Sequence, residues 1–325
     1  MRRFPLSDVE HAKVTPMNLS PKSFANLSRR DFMKTSAALA CGSSAMPVWA
    51  ASGPASKPAW QIGCYTRPWA EFDYREALDD IAEAGFKYAG LMRAKSKSRL
   101  VVSLDSTTDE VSTIASEVKK RGLKTLSIWG GSFPVEKSVG AGIAGLKKLI
   151  DYCVICGCPH LLLGGTTNAK LVQPYYQVVA ECCDYAAAKG VGLSVKPHGG
   201  QNATGAQCRK LIDQVGHKNF RIWYDPGNVF FYSEGKLDPV EDVPSVDGLV
   251  VGMSVKDFLP PKEVLVTPGT GRVNFREVLA RLNKGGFVSG PLIVECLTPG
   301  AERAALTAEA QKARRFLEEL TGQNK

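Results

Sequence analysis

The chain has 325 residues, 44% of them apolar and 22% charged, with 31 Gly, 19 Pro, 9 Cys and a formal net charge of +9. That composition excludes a disordered chain, a collagen-like repeat and a small disulfide scaffold. The length suits one large domain or two average ones, and an α/β barrel of about 250 residues fits as a single unit.

The first 50 residues do not read as fold. Ser28-Arg29-Arg30-Asp31-Phe32-Met33-Lys34 precedes residues 35–50, a stretch rich in alanine, free of carboxylates and ending in Val48-Trp49-Ala50. A charged segment, a modest apolar one and a small-residue exit describe an export signal, too short and too weakly apolar for a membrane span. The adjacent arginines, with Asp31, Phe32 and Lys34, resemble a twin-arginine signal, which implies a periplasmic destination. An uncleaved amphipathic or disordered N-terminus is the alternative, and Met17 is an alternative start. This segment holds seven Lys/Arg against three acids, so the other 275 residues carry a net charge of only +5. No long basic run remains there, and charge does not support a nucleic-acid partner. The densest cationic cluster, residues 93–99, alternates with Ser and Ala and reads as a solvated loop or an anion contact.

Residues 51–58 form a small-residue linker, and a repeated rhythm fills 59–325. Apolar runs at 60–65, 88–92, 123–129, 160–163, 191–195, 220–224, 248–255 and 291–294 predict eight strands. Between them, apolar residues at helical spacing predict helices over 77–84, 111–118, 139–155, 175–188, 207–215 and 275–282, with a last one over 307–320. The link at 239–246 reads as short and helix-poor. Strands apolar on both faces, alternating with helices, predict a single-domain (β/α)8 TIM barrel. A doubly wound open sheet is the runner-up, but Gly63-Cys64-Tyr65-Thr66-Arg67-Pro68 lacks the glycine-rich phosphate fingerprint expected after its first strand.

In such a barrel the chemistry belongs at the C-terminal strand ends. The early strands end in Arg67 and Trp69, in Arg93, and in Trp129; the later ones end in Lys196 and His198, Asp225 and Asn228, Lys256 and Asp257, and Glu295. Aromatic faces beside carboxylates and amides suit a polyhydroxylated ligand, whose ring stacks while its hydroxyls hydrogen-bond. For Trp69 and Trp129 the competing reading is rim packing.

Asp225-Pro226-Gly227-Asn228, a strand ending in Lys256-Asp257, the segment Pro268-Gly269-Thr270-Gly271-Arg272-Val273-Asn274-Phe275 and the strand Gly290-Pro291-Leu292-Ile293-Val294-Glu295 together resemble the sugar phosphate isomerase/epimerase family of xylose-isomerase-like barrels. The resemblance covers roughly residues 60–320. It implies a divalent metal (Mn, Mg or Zn) held by Glu, Asp, His and Glu, and two glutamates that move protons on either side of an enediolate. Asp225 and Glu295 match the second and fourth ligands, but the first and third positions hold Lys196 and Ser254. Two carboxylates beside an ammonium are a poor set for a hard cation.

Lys196 instead places a tethered positive charge where the metal would sit. It could stabilise an enolate-like oxyanion, form a Schiff base with a ketose, or serve only as a structural ion pair. Glu295 is the expected base, Lys196 the cation or acid, His198 an acid/base partner, and Asp225, Asn228, Lys256, Asp257, Arg67, Trp69 and Trp129 the substrate contacts. Lys256-Asp257 reads equally as a substrate clamp or a structural pair. Cys153, Cys156, Cys158 and His160 superficially resemble a zinc cluster, yet their spacing across a helix end and a strand does not readily converge, which favours buried thiols.

The expected function is therefore a sugar isomerase or epimerase acting on a keto- or aldo-sugar through an enolate-like intermediate, with a degenerate metal site. A sugar lyase using Lys196 and a non-catalytic sugar-binding protein are the alternatives. An abasic-site nuclease, found on the same barrel, is set aside because such sites are rich in histidine, and beyond the signal only His160, His198 and His217 occur. The partner is a small-molecule sugar or sugar derivative, and a homo-oligomer is left open.

Overall fold

A computed structural model describes residues 60–300 and 302–323. The expected export signal and linker lie outside the described residues. Eight parallel strands close into a barrel: β1 (Gln61–Tyr65), β2 (Tyr88–Leu91), β3 (Lys124–Trp129), β4 (His160–Leu163), β5 (Gly192–Val195), β6 (Phe220–Tyr224), β7 (Val250–Val255) and β8 (Pro291–Val294). Each pairs with its sequence neighbour, and β1 closes on β8 with Gly63 opposite Ile293. The open-sheet alternative is thereby excluded, and every strand lies within one of the apolar runs of the sequence.

The surrounding helices are α1 (Tyr74–Glu83), α2 (Thr108–Lys120), α3 (Val139–Ile155), α4 (Val172–Ala188), α5 (Gly205–Val215), α6 (Pro226–Tyr232), α7 (Pro239–Asp242), α8 (Phe275–Lys284) and α9 (Arg303–Thr321). Several begin two to four residues before the apolar periodicity does. Their first turns are polar and are fixed by caps instead: Asp73 with Glu76, and Thr107 with Glu110, form reciprocal capping boxes, and Thr204 accepts from the Gln207 amide. The β6–β7 link departs further from expectation. Rather than being helix-poor it folds into α6, α7 and a 3₁₀ turn at Val243–Val246.

Two apolar layers result. The larger one lies between barrel and helices. The smaller one fills the barrel with Tyr65, Met92, Leu126, Leu162, Trp223 and Ile293. Tyr65 and Trp223 fit because glycine stands opposite each in register: a Cβ on Gly90 would come within 2.1 Å of the Tyr65 ring, and one on Gly252 within 2.4 Å of Trp223. Among the described residues no helix is long and apolar enough to cross a membrane.

Candidate active site

Strand alternation selects the side chains that reach the barrel mouth. Trp223 and Ile293 point into the barrel, so Asp225 and Glu295, two residues further on, point the same way. The same step carries Ser194 to Lys196 on β5, and Gly252 to Ser254 and Lys256 on β7. The closed barrel brings these five together.

Lys196 Nζ donates to Asp225 Oδ2 at 2.8 Å and to Glu295 Oε2 at 2.5 Å. Lys256 Nζ lies 2.6 Å from Glu295 Oε1 and 3.6 Å from Asp225 Oδ2. The Ser254 hydroxyl donates to Glu295 Oε2 at 2.7 Å, so both oxygens of Glu295 accept from protein donors. All five residues are buried. Burial alone would raise the pKa of Glu295, but Lys196, Lys256 and Arg67 outweigh it and hold the carboxyl well below its usual range. For Lys256, burial would lower the pKa, and Asp225 and Glu295 reverse that and raise it.

Above this cluster opens a cleft of about 300 Å³ lined by residues that include Arg67, Trp129, Lys196, His198, Tyr232 and Glu295. Trp129 stands beside Lys196, whose Nζ is 5.6 Å from its ring centre, and the His198 ring lies 5.1 Å from Trp129 and 5.9 Å from Tyr232. Burial first, then the positive charges of Lys196 and Lys256, push the His198 pKa down to about 3. His198 therefore stands in the cleft as a neutral imidazole at neutral pH, the form in which an acid/base partner accepts a proton. Asn228 also lines the cleft; its side chain accepts from Lys256 at 3.0 Å and donates to the Pro197 carbonyl at 2.6 Å.

Two expected substrate contacts, Trp69 and Asp257, are placed elsewhere, and a third, Asp225, lies in the cluster but beneath the cleft lining. Trp69 is fully buried in the layer between barrel and helices, because the 3₁₀ turn Arg67–Trp69 directs Arg67 to the cleft and Trp69 inward to the core. Among the described residues Asp257 pairs with no lysine. It accepts from the backbone amides of Phe258, Gly269, Gly271 and Val273 and so organises the loop before α8. Asp225 is fully buried beneath Lys196, and its Oδ1 caps α6 through the Asn228 amide. Residues that the sequence reading missed, Phe231 and Tyr232, line the cleft from α6. Their signal was present: Asp225 followed by Pro226 is an N-cap with proline in the first helical position.

Both candidate carboxylates are already held by two ammonium groups, Ser254 spends its hydroxyl proton on one of them, and a divalent cation there would sit against Lys196 and Lys256. The residues present do not fit a divalent ion. Among the described residues no group of three or more His, Cys, Asp or Glu is disposed to hold one. In the cysteine-rich segment Cys158 donates to the His160 carbonyl and the His160 ring packs edge-on against Trp223, 5.4 Å away. Cys153, Cys156 and Cys158 are buried free thiols.

No curated protein matches the chain by sequence. Solved structures do match its fold. A xylose isomerase domain protein from Planctomyces limnophilus is 20% identical with a TM-score of 0.63, covering 81% of this chain and 98% of that one. A D-psicose 3-epimerase from Clostridium cellulolyticum H10, solved with D-tagatose, is 15% identical with a TM-score of 0.63 (80% and 99%). A xylose isomerase-like TIM barrel protein from Mycobacterium smegmatis, solved in complex with magnesium, is 14% identical with a TM-score of 0.64 (81% and 98%). The family profile described as xylose isomerase-like TIM barrel matches residues 78–320, three-quarters of the chain, from within α1 to within α9, and with the closed eight-stranded barrel this makes the protein a member of that family.

Proposed function

We propose that the protein is a sugar isomerase or epimerase of the xylose isomerase-like class in which two lysines stand in for the divalent metal. The observation that carries this reading is the placement of Lys196 and Lys256 on the same two carboxylates at the floor of an aromatic-walled cleft. Neighbours of the same fold include a D-psicose 3-epimerase solved with D-tagatose, which supports a ketose or aldose as the substrate class.

In this mechanism Trp129 and Tyr232 take the apolar face of the sugar. A carbonyl oxygen entering above Lys196 and Lys256 accepts hydrogen bonds that Glu295 holds in the empty site, which frees a carboxylate oxygen. Glu295 then removes the proton on the carbon next to the carbonyl. The electron pair moves onto the carbonyl oxygen, and the two ammonium groups stabilise the resulting enolate. Protonation of the opposite face by Lys196, which Glu295 then reprotonates across their direct contact, gives epimerisation. Delivery of the proton from Glu295 to the former carbonyl carbon, while the neighbouring hydroxyl passes its own proton to the former carbonyl oxygen, gives isomerisation. Loss of a leaving group from the next carbon would give a lyase.

Turnover is expected to survive chelation. Purified protein is assayed for D-psicose, D-tagatose or D-fructose interconversion before and after exhaustive EDTA treatment, and activity that appears only on adding Mn²⁺ or Zn²⁺ would sink the lysine-for-metal reading. A non-catalytic sugar-binding protein is favoured by a separate observation, the saturation of both Glu295 oxygens. Ligand binding unchanged in Glu295→Gln, with no turnover in either form, would select it. The arginine pair supports twin-arginine export to the periplasm, and periplasmic protein that vanishes in the Arg29→Lys, Arg30→Lys variant is the expected result.

A further inference from the structure

The cleft carries more positive charge than its carboxylates balance. Arg67, Arg93, Lys196 and Lys256 line it, against Glu295 in the wall and Asp225 beneath. The two lysines are matched by those two acids. Arg67 is not. It is largely shielded from solvent, its guanidinium donates to Cys296 Sγ, a weak acceptor, and among the described residues it forms no ion pair.

A guanidinium keeps its charge throughout the physiological range and presents five N–H donors in a planar fork suited to carboxylate and phosphate. Glu295 and Asp225 favour its charge from beyond ion-pair distance but do not satisfy its donors, so the open N–H groups mark a position for a bound anion. Arg93, exposed just past the end of β2, adds a second cation at the mouth that forms no ion pair among the described residues. The rest of its cluster is directed elsewhere: Lys95 and Lys97 line a separate surface groove, and Arg99 pairs with Glu71 at 2.5 Å.

We infer that the occupant of the cleft is an anionic sugar derivative whose carboxylate or phosphate is bound by Arg67, with Arg93 drawing it in. For the rest of the ligand this rests on the sugar reading above. The cleft is at the lower end of small-ligand pocket volumes, about 300–1,000 Å³, which suits one sugar unit with one charged group.

Calorimetric titration of the unaltered protein with D-galacturonate, D-fructose 6-phosphate and D-fructose tests this directly. At least one of the two anions is expected to bind ten times or more tightly than D-fructose, and which one does so distinguishes carboxylate from phosphate. Arg67→Met is expected to weaken that anion roughly 10- to 100-fold and so to narrow its advantage over D-fructose measured on the same variant. Arg93→Met, at an exposed position that does not bear on folding, is expected to weaken it a few-fold. D-fructose binding as tightly as either anion, no binding of either anion, or a folded Arg67→Met that binds the anion like the parent would each overturn the inference. The ligand comparison on unaltered protein stands whether or not Arg67→Met folds. An anion bound through Arg67 but never converted would leave this inference standing and remove the isomerase reading. D-fructose turned over by the unaltered protein, with neither anion bound more tightly than D-fructose, would do the reverse.

Discussion

Glu295 accepts hydrogen bonds from Lys196 and Ser254 and an ion pair from Lys256, and this crowding sets both its chemistry and its share of stability. A carboxylate held so far below its usual range is a weak base until ligand draws donors away, so catalysis by Glu295 is coupled to occupancy of the cleft. Replacing Glu295 with Gln leaves two buried ammonium groups sharing Asp225 alone. Breaking a buried pair from one side costs about 3–5 kcal/mol, so the melting temperature of Glu295→Gln is expected to fall by roughly 10 °C together with loss of turnover. A variant that melts with the parent would show that the pair is not a structural dependency. Lys196 could be named from sequence as the departure from the family's ligand pattern, because a strand-end position needs only the local apolar run to locate it. That Lys256 shares its two partners could not.

At the scale of elements, helices and strands whose cores repeat at 3.6 or 2 residues were legible, and α3 is delimited by its apolar spacing at both ends, Val139–Ile155. Segments whose structure is set by single capping residues were less so. The helix α6 was missed because seven residues give too short a window for periodicity, although its Asp-Pro start is a signal in itself. The loop between β7 and α8 was read through Asp257 as a candidate clamp, whereas Asp257 accepts four backbone amides there. Asp257→Ala is expected to cost about 2–4 kcal/mol, since four backbone donors, two of them buried, lose their acceptor, and to make residues 267–273 the first site of limited proteolysis. Cleavage elsewhere at an unchanged rate would contradict that role.

For the molecule as a whole, two partly buried histidines make stability depend on pH in a defined direction. Burial lowers the pKa of His160 to about 4, and burial with the two lysines lowers that of His198 to about 3. Below pH 6.5 the unfolded chain protonates both while the folded chain keeps them neutral, so the unfolded state binds more protons and stability falls as pH drops from 6.5 toward 3–4. The loss is on the order of 1–2 kcal/mol per histidine by pH 5. Glu295, with its pKa lowered, adds a further loss as pH falls below its ordinary value of 4.5. Urea midpoints at pH 7 and pH 5 measure the first effect, and equal midpoints would refute it.

The sequence by itself determined the eight strands, most of the helices between them, and hence which residues stand at the C-terminal rim of a barrel. Those features are written in periodicities of two and 3.6, which depend only on near neighbours along the chain. The tertiary structure decided what the rim residues do: that Lys196 binds partners 29 and 99 residues away, that Lys256 joins them, that Asp257 turns to backbone and Trp69 to core, and that Arg67 forms no ion pair among the described residues. Partnerships between distant residues exist only once the barrel has closed and fixed the register of all eight strands, and no local pattern encodes them.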